Sequence, residues 1–95
     1  MRRNIVSVTI NIPTPLRSIT NSTSELINGS TLIECLNNLD EKFRGIKNRL
    51  IDKEGEVNKF INIYINGEDI RFSDGLNTKV KSDSVIDIVP SMAGG

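Results

Sequence analysis

The sequence contains no histidine and a single cysteine, Cys35. Without histidine there is no imidazole to serve as acid or base near neutral pH, and no His-containing zinc site. One cysteine cannot close a disulfide within the chain. Cys35 falls inside the strongest helical pattern, beside Leu36 and Leu39, where a small buried thiol is expected rather than a nucleophile. No metal site is expected. Positive charge is not in excess either: 12 lysines and arginines balance 12 aspartates and glutamates, which argues against nucleic acid as the main partner. No apolar run is long enough to span a bilayer. The basic start Met1-Arg2-Arg3-Asn4 leads into an alternating stretch, not the continuous apolar segment of a secretory signal, so a cytoplasmic protein with no membrane role is expected. No glycine-rich phosphate loop precedes a helix, and the acidic pairs Asp40-Glu41 and Glu68-Asp69 read as solvated surface. An independent enzyme therefore lacks support.

What the chain does have is a regular succession of elements. Its 95 residues suffice for one modest core. Val6, Val8, Ile10 and Ile12 alternate with Ser7, Thr9 and Asn11, which predicts a half-buried strand over 4–12. Pro13-Thr14-Pro15 ends it, 18–22 reads as loop, and a second strand is expected near Glu25–Asn28, forming an edge hairpin with the first. Thr31 and Glu34 stand at capping-box spacing, with Ser30 as a competing cap. Leu32, Leu36, Leu39 and Phe43 then form one helical stripe, which Gly45 stops. Ile46 and Leu50 suggest a further helical turn, and 52–58 reads as a solvated loop.

The run from Phe60 to Phe72 is the clearest local signal, because Asn66-Gly67 suits a type I′ turn. That turn sets a register in which Ile65 opposes Glu68, Ile63 opposes Ile70 and Ile61 opposes Phe72. Leu76 and Val80 are expected to plug the sheet edge, and Val85–Val89 is a final strand that Pro90 ends. The order is α+β: a ubiquitin-like β-grasp, with a mixed sheet of four or five strands and one main helix on one face. The first and last strands are expected side by side and parallel in its middle. The β-grasp body covers 1–89 and a Gly-Gly tail covers 90–95.

Three segments carry a family resemblance: the opening strand into Ile12-Pro13-Thr14, the block Phe60–Phe72, and the closing Val89-Pro90-Ser91-Met92-Ala93-Gly94-Gly95. Together they resemble the ubiquitin-like sulfur carriers of the MoaD/ThiS superfamily over nearly the whole chain. The middle block is most similar to the CysO-type carriers of thiocarboxylate-dependent cysteine biosynthesis and to their molybdopterin-synthase small-subunit relatives. The chain departs from the family at Pro90-Ser91, where many relatives have Pro-Pro, and at Asp83-Ser84, where many have an acidic pair or Gly-Asp.

The resemblance implies that an E1-like enzyme uses ATP to adenylate the Gly95 carboxylate, and that a sulfur donor then displaces AMP to leave a thiocarboxylate. Gly94 would keep the tail thin enough to thread a channel. No cofactor would be bound by the chain itself. The sulfur-accepting partner would be a pyridoxal-phosphate (PLP)-dependent cysteine synthase or, alternatively, the molybdopterin synthase large subunit. A rival reading is a ubiquitin-like interaction or conjugation module. Phe60, Tyr64 and Val89 are expected to emerge together on the outer sheet face as a partner-binding patch, with Met92 and Ala93 of the tail. The opposing expectation is that Phe60 and Tyr64 pack under the 52–58 loop.

Overall fold

The computed structural model describes residues 6–91. The expectations for Met92, Ala93, Gly94 and Gly95 fall outside the described residues.

Strand β1 (Ser7–Asn11) buries Val8 and Ile10, and Ile12 just beyond it is also buried, as the alternation requires. The segment after Pro13 differs from the expected loop. It holds a 3-10 turn over Thr14–Leu16 and one turn of helix, α1 (Arg17–Thr20), closed by Asn21 at φ 57°. Proline near the start suits a helical turn, since its fixed φ and missing N–H cost nothing there. Leu16 then buries beneath the turn. Strand β2 (Ser24–Asn28) pairs antiparallel with β1, from Ser7 opposite Asn28 to Asn11 opposite Ser24.

Helix α2 (Leu32–Lys42) begins at Thr31, whose hydroxyl accepts the Glu34 amide at 3.3 Å. Glu34 reaches back one residue further than a simple capping box: its Oε1 accepts from the Ser30 amide at 2.6 Å and from the Ser30 hydroxyl at 3.0 Å. Both expected cap residues are thus used. Leu32, Cys35, Leu36 and Leu39 are buried, and Phe43 at the C-terminal end is half-buried. The second helical turn is α3 (Lys47–Leu50), with Ile46 and Leu50 buried.

Three strands complete the sheet: β3 (Ile61–Ile65), β4 (Glu68–Asp69) and β5 (Val85–Pro90), in spatial order β2-β1-β5-β3-β4. β1 and β5 lie parallel in the middle, as expected. Val8, Ile10, Ile63, Ile86 and Ile88 face Leu32, Leu36 and Leu39 of α2 in one continuous core. Val80 is buried, and the backbone bonds Leu32 N to Thr78 O and Val80 N to Ser30 O tie its segment to the start of α2.

Two local expectations are corrected. Asn66 and Gly67 adopt positive φ, 51° and 86°, and Ile65 does oppose Glu68. The pairing nevertheless ends one step later, at Tyr64 opposite Asp69. Asp69 accepts the Arg71 amide at 2.8 Å and turns Ile70–Phe72 into a 3-10 turn. An aspartate can offer the backbone such a local partner in competition with the ladder. Ile70 is still buried, but Phe72 is 80% exposed rather than part of the apolar face.

Pro90 does not end β5. It pairs with Ile61, and the Ser91 amide donates to the Phe60 carbonyl at 2.8 Å. With Ser91 bonding toward β3, the nitrogen of Pro90 points to the other side, where β1 has already stopped at Asn11. The missing N–H therefore costs no ladder bond.

Candidate docking face and tail root

The outer face of the sheet is built by the register. Asn62 lies opposite Val89 and Tyr64 opposite Asp87, so these four side chains share the face turned away from Ile63, Ile86 and Ile88. Val89 is 39% and Phe60 63% exposed, while Tyr64 is half-buried. Tyr64 and Val89 thus lie on one face, with Val89 and Phe60 near the point where β5 leaves the sheet and Tyr64 further along β3, opposite Asp87. Phe60 does not pack under the 52–58 loop; that loop instead holds the Phe60 backbone, through a 2.8 Å bond from its amide to Asn58 Oδ1.

The loop itself is ordered by Asp52, whose Oδ1 accepts the amides of Glu54 and Glu56, both at 2.9 Å. Asp87 is held in the same face by Asn11 Nδ2 at 2.6 Å. Sequence reading missed Leu26, which is 67% exposed on this face, at the β2 edge. The signal was available: Leu26 and Ile27 are adjacent in a strand, so only one of them can face the core.

Among the described residues the shifted groups belong to a buried thiol and to surface contacts. Burial pushes the Cys35 thiol up to about 11, with the Glu34 charge adding to the effect, and the side chain has no exposed surface. It stays protonated and inaccessible at neutral pH. Hydrogen bonds from Arg71 hold the Asp69 carboxyl below the ordinary carboxylate range, and the same contact raises Arg71. Lys42 does likewise for Glu25 through a 2.7 Å ion pair. Among the described residues no cluster of three or more His, Cys, Asp or Glu is placed to hold a metal ion. Nor is any described helix long and apolar enough to cross a membrane.

A mixed five-stranded sheet with its first and last strands parallel at the centre, crossed by one long helix, is the ubiquitin-like β-grasp fold. The ThiS family model matches residues 10–95, and the chain belongs to that family. It is 39% identical to the sulfur carrier protein CysO of Mycobacterium tuberculosis and of Mycobacterium bovis, covering 95% of this chain and 100% of each relative.

Solved structures agree. The crystal structure of Mycobacterium tuberculosis CysO superposes with a TM-score of 0.86 at 39% identity, covering 90% of this chain and 99% of that one. A chain of the BexX/CysO complex of Amycolatopsis orientalis superposes with a TM-score of 0.85 at 42% identity, covering 93% and 99%. A putative molybdopterin converting factor subunit of Pyrococcus furiosus, at 16% identity and a TM-score of 0.69, shares the fold alone.

Proposed function

We propose that this protein is a sulfur carrier serving cysteine biosynthesis, and that it acts as the substrate of partner enzymes. The observation that carries this reading is the 39% identity to curated sulfur carriers along their entire length. The family match also runs through Gly94 and Gly95. The molybdopterin alternative has only a fold-level likeness behind it.

In the proposed cycle an E1-like enzyme adenylates the Gly95 carboxylate with ATP, releasing pyrophosphate. Sulfide, or an equivalent donor, then attacks the acyl-adenylate carbon and AMP leaves. The product is a C-terminal thiocarboxylate, whose sulfur is a strong nucleophile near neutral pH. A PLP-dependent cysteine synthase is the proposed acceptor. The body of the chain contributes a rigid platform, and Phe60, Tyr64 and Val89 are proposed to seat the activating enzyme while the tail enters its active site.

Incubation with the E1-like enzyme of the same cell, ATP and sulfide should replace one oxygen of the last residue by sulfur, read by intact-protein mass spectrometry. Deleting Gly95, or appending one residue after it, should abolish the change with the fold intact. Absence of the mass change in the wild type would refute the carrier reading.

A further inference from the structure

Two grooves meet at the root of the tail and share Pro90. The first, about 240 Å³ in volume, is walled by Pro13, Pro15, Leu16, Phe60 and Ile61, with Arg49 lining it. The second is lined in part by Arg17 and also shares Pro13 and Pro15 with the first. The first groove is apolar apart from Arg49 and Asn58, and Asn58 is already engaged: its Oδ1 accepts the Phe60 amide and its Nδ2 donates to the Arg49 carbonyl at 3.4 Å. Arg49 is therefore the charged residue left to define the groove.

Both arginines are exposed, and neither has a carboxylate within ion-pair distance among the described residues. Arg17 spends its Nε on the Ile12 carbonyl at 3.0 Å. Among the described residues the ion pairs that form, Lys42 with Glu25 and Arg71 with Asp69, involve other side chains. Uncompensated positive charge beside an apolar groove is complementary to an apolar side chain accompanied by a carboxylate.

The reach of the tail limits how far from its root an acting enzyme can stand. Ser91 is pinned to Phe60 by its 2.8 Å backbone bond. Gly95 lies four positions further along the chain, and four extended residues reach at most about 14 Å. An enzyme that works on the Gly95 carboxylate must bring its own surface within about that distance of Ser91, which is bonded to Phe60 and follows Pro90, two residues that line the groove.

We propose that this groove is a docking site for a loop of the activating enzyme, which inserts an apolar side chain between Pro15 and Phe60 and presents a carboxylate to Arg49. The site is distinct from the outer-face patch, although Phe60 contributes to both. The inference rests on the carrier reading.

The test is steady-state thiocarboxylate formation with the E1-like enzyme of the same cell, varying the carrier concentration for wild type, Arg49→Glu, Arg49→Gln and Lys81→Glu. Lys81 precedes β5 at the opposite end of the strand from Pro90 and controls for net charge. Arg49→Glu should raise the carrier KM about tenfold or more with kcat retained, Arg49→Gln should fall between, and Lys81→Glu should match wild type. Added salt should raise the wild-type KM and leave that of Arg49→Gln nearly flat. Circular dichroism melts check that each variant is folded. A wild type that converts normally while the Arg49→Glu KM stays within about twofold overturns the docking site alone. A wild type that is not converted at all overturns the carrier reading and this inference with it.

Discussion

Gly29 and Cys35 approach so closely that a Cβ added to Gly29 would stand 2.6 Å from the Cys35 Sγ and 3.0 Å from its backbone nitrogen. This contact sets how near the end of β2 can come to α2. Gly29→Ala should destabilise the fold by about 1–3 kcal/mol, because the helix must move away from a packed core. The Gly29→Ala/Cys35→Ala double variant should recover only part of that loss, since the clash with the helix backbone remains. Urea unfolding of the four proteins checks it, and an unchanged midpoint for Gly29→Ala would show that α2 is free to shift.

Cys35 itself is packing. Its thiol is buried and held protonated, so Cys35→Ala should leave thiocarboxylate formation intact while costing some stability. Loss of sulfur transfer in a folded Cys35→Ala protein would assign the thiol a chemical role that its burial argues against.

Leu36 lies at the middle of the α2 stripe with no exposed surface, in the cluster that includes Val8, Ile63 and Ile88. Leu36→Ala should cost about 2–5 kcal/mol, at the upper end if the surrounding isoleucines cannot close the cavity. Equilibrium denaturation measures it directly, and a cost below about 1 kcal/mol would mean that the site collapses freely.

The acid limit of stability should depend on Asp69. Its carboxyl is held below the ordinary range by hydrogen bonds from Arg71, at 2.7 Å to Nη2 and 2.8 Å to the amide. A carboxyl with a lowered folded pKa stabilises the fold fully above its unfolded pKa, about 3.9, and loses that contribution as pH falls through the folded value. Glu25 and Glu34 are lowered too and contribute in the same sense. Asp69→Asn should therefore lose stability at neutral pH, and its stability should fall less than that of the wild type between about pH 5 and pH 2. Parallel acid arms in the two proteins would show that the pair contributes nothing through ionisation.

Most of the body was legible because its signals are periodic. Val8 and Ile10 in β1, the Leu32–Leu39 stripe in α2 and the Asn66-Gly67 turn each left one arrangement that buries the apolar residues. What escaped depends on single hydrogen bonds. The side chain of Asp69 ends the ladder of β4 at two residues, which no alternation of Ile70 and Phe72 reveals. Pro90 joins β5 because β1 stops short beside it, a fact about register rather than about proline. The Arg49 groove draws on Pro13, Arg49, Phe60 and Pro90, which are far apart in sequence and meet only in the fold. The outer-face placement of Tyr64 and Val89, by contrast, followed from period-two alternation, and their use as a docking patch is a proposal.

That patch yields the last prediction. Val89 is 39% exposed, sits opposite Asn62 one step from the tail, and shares its face with Tyr64 and the 63% exposed Phe60. Apolar side chains grouped on a sheet next to a reactive tail are suited to form the centre of a docking contact, where a few residues carry most of the binding energy. A carboxylate placed there would be desolvated against the partner without a counter-charge, a cost that the free protein does not meet because the position is open to water. Val89→Asp should thus weaken binding to the activating enzyme by at least about tenfold, or 1.4 kcal/mol, with the melting profile nearly unchanged. Isothermal titration calorimetry of wild type and variant, with circular dichroism as the folding control, measures both halves of the claim. If the affinities are equal and the variant is folded, the outer face is not the docking surface, and recognition rests on the tail and the groove at its root.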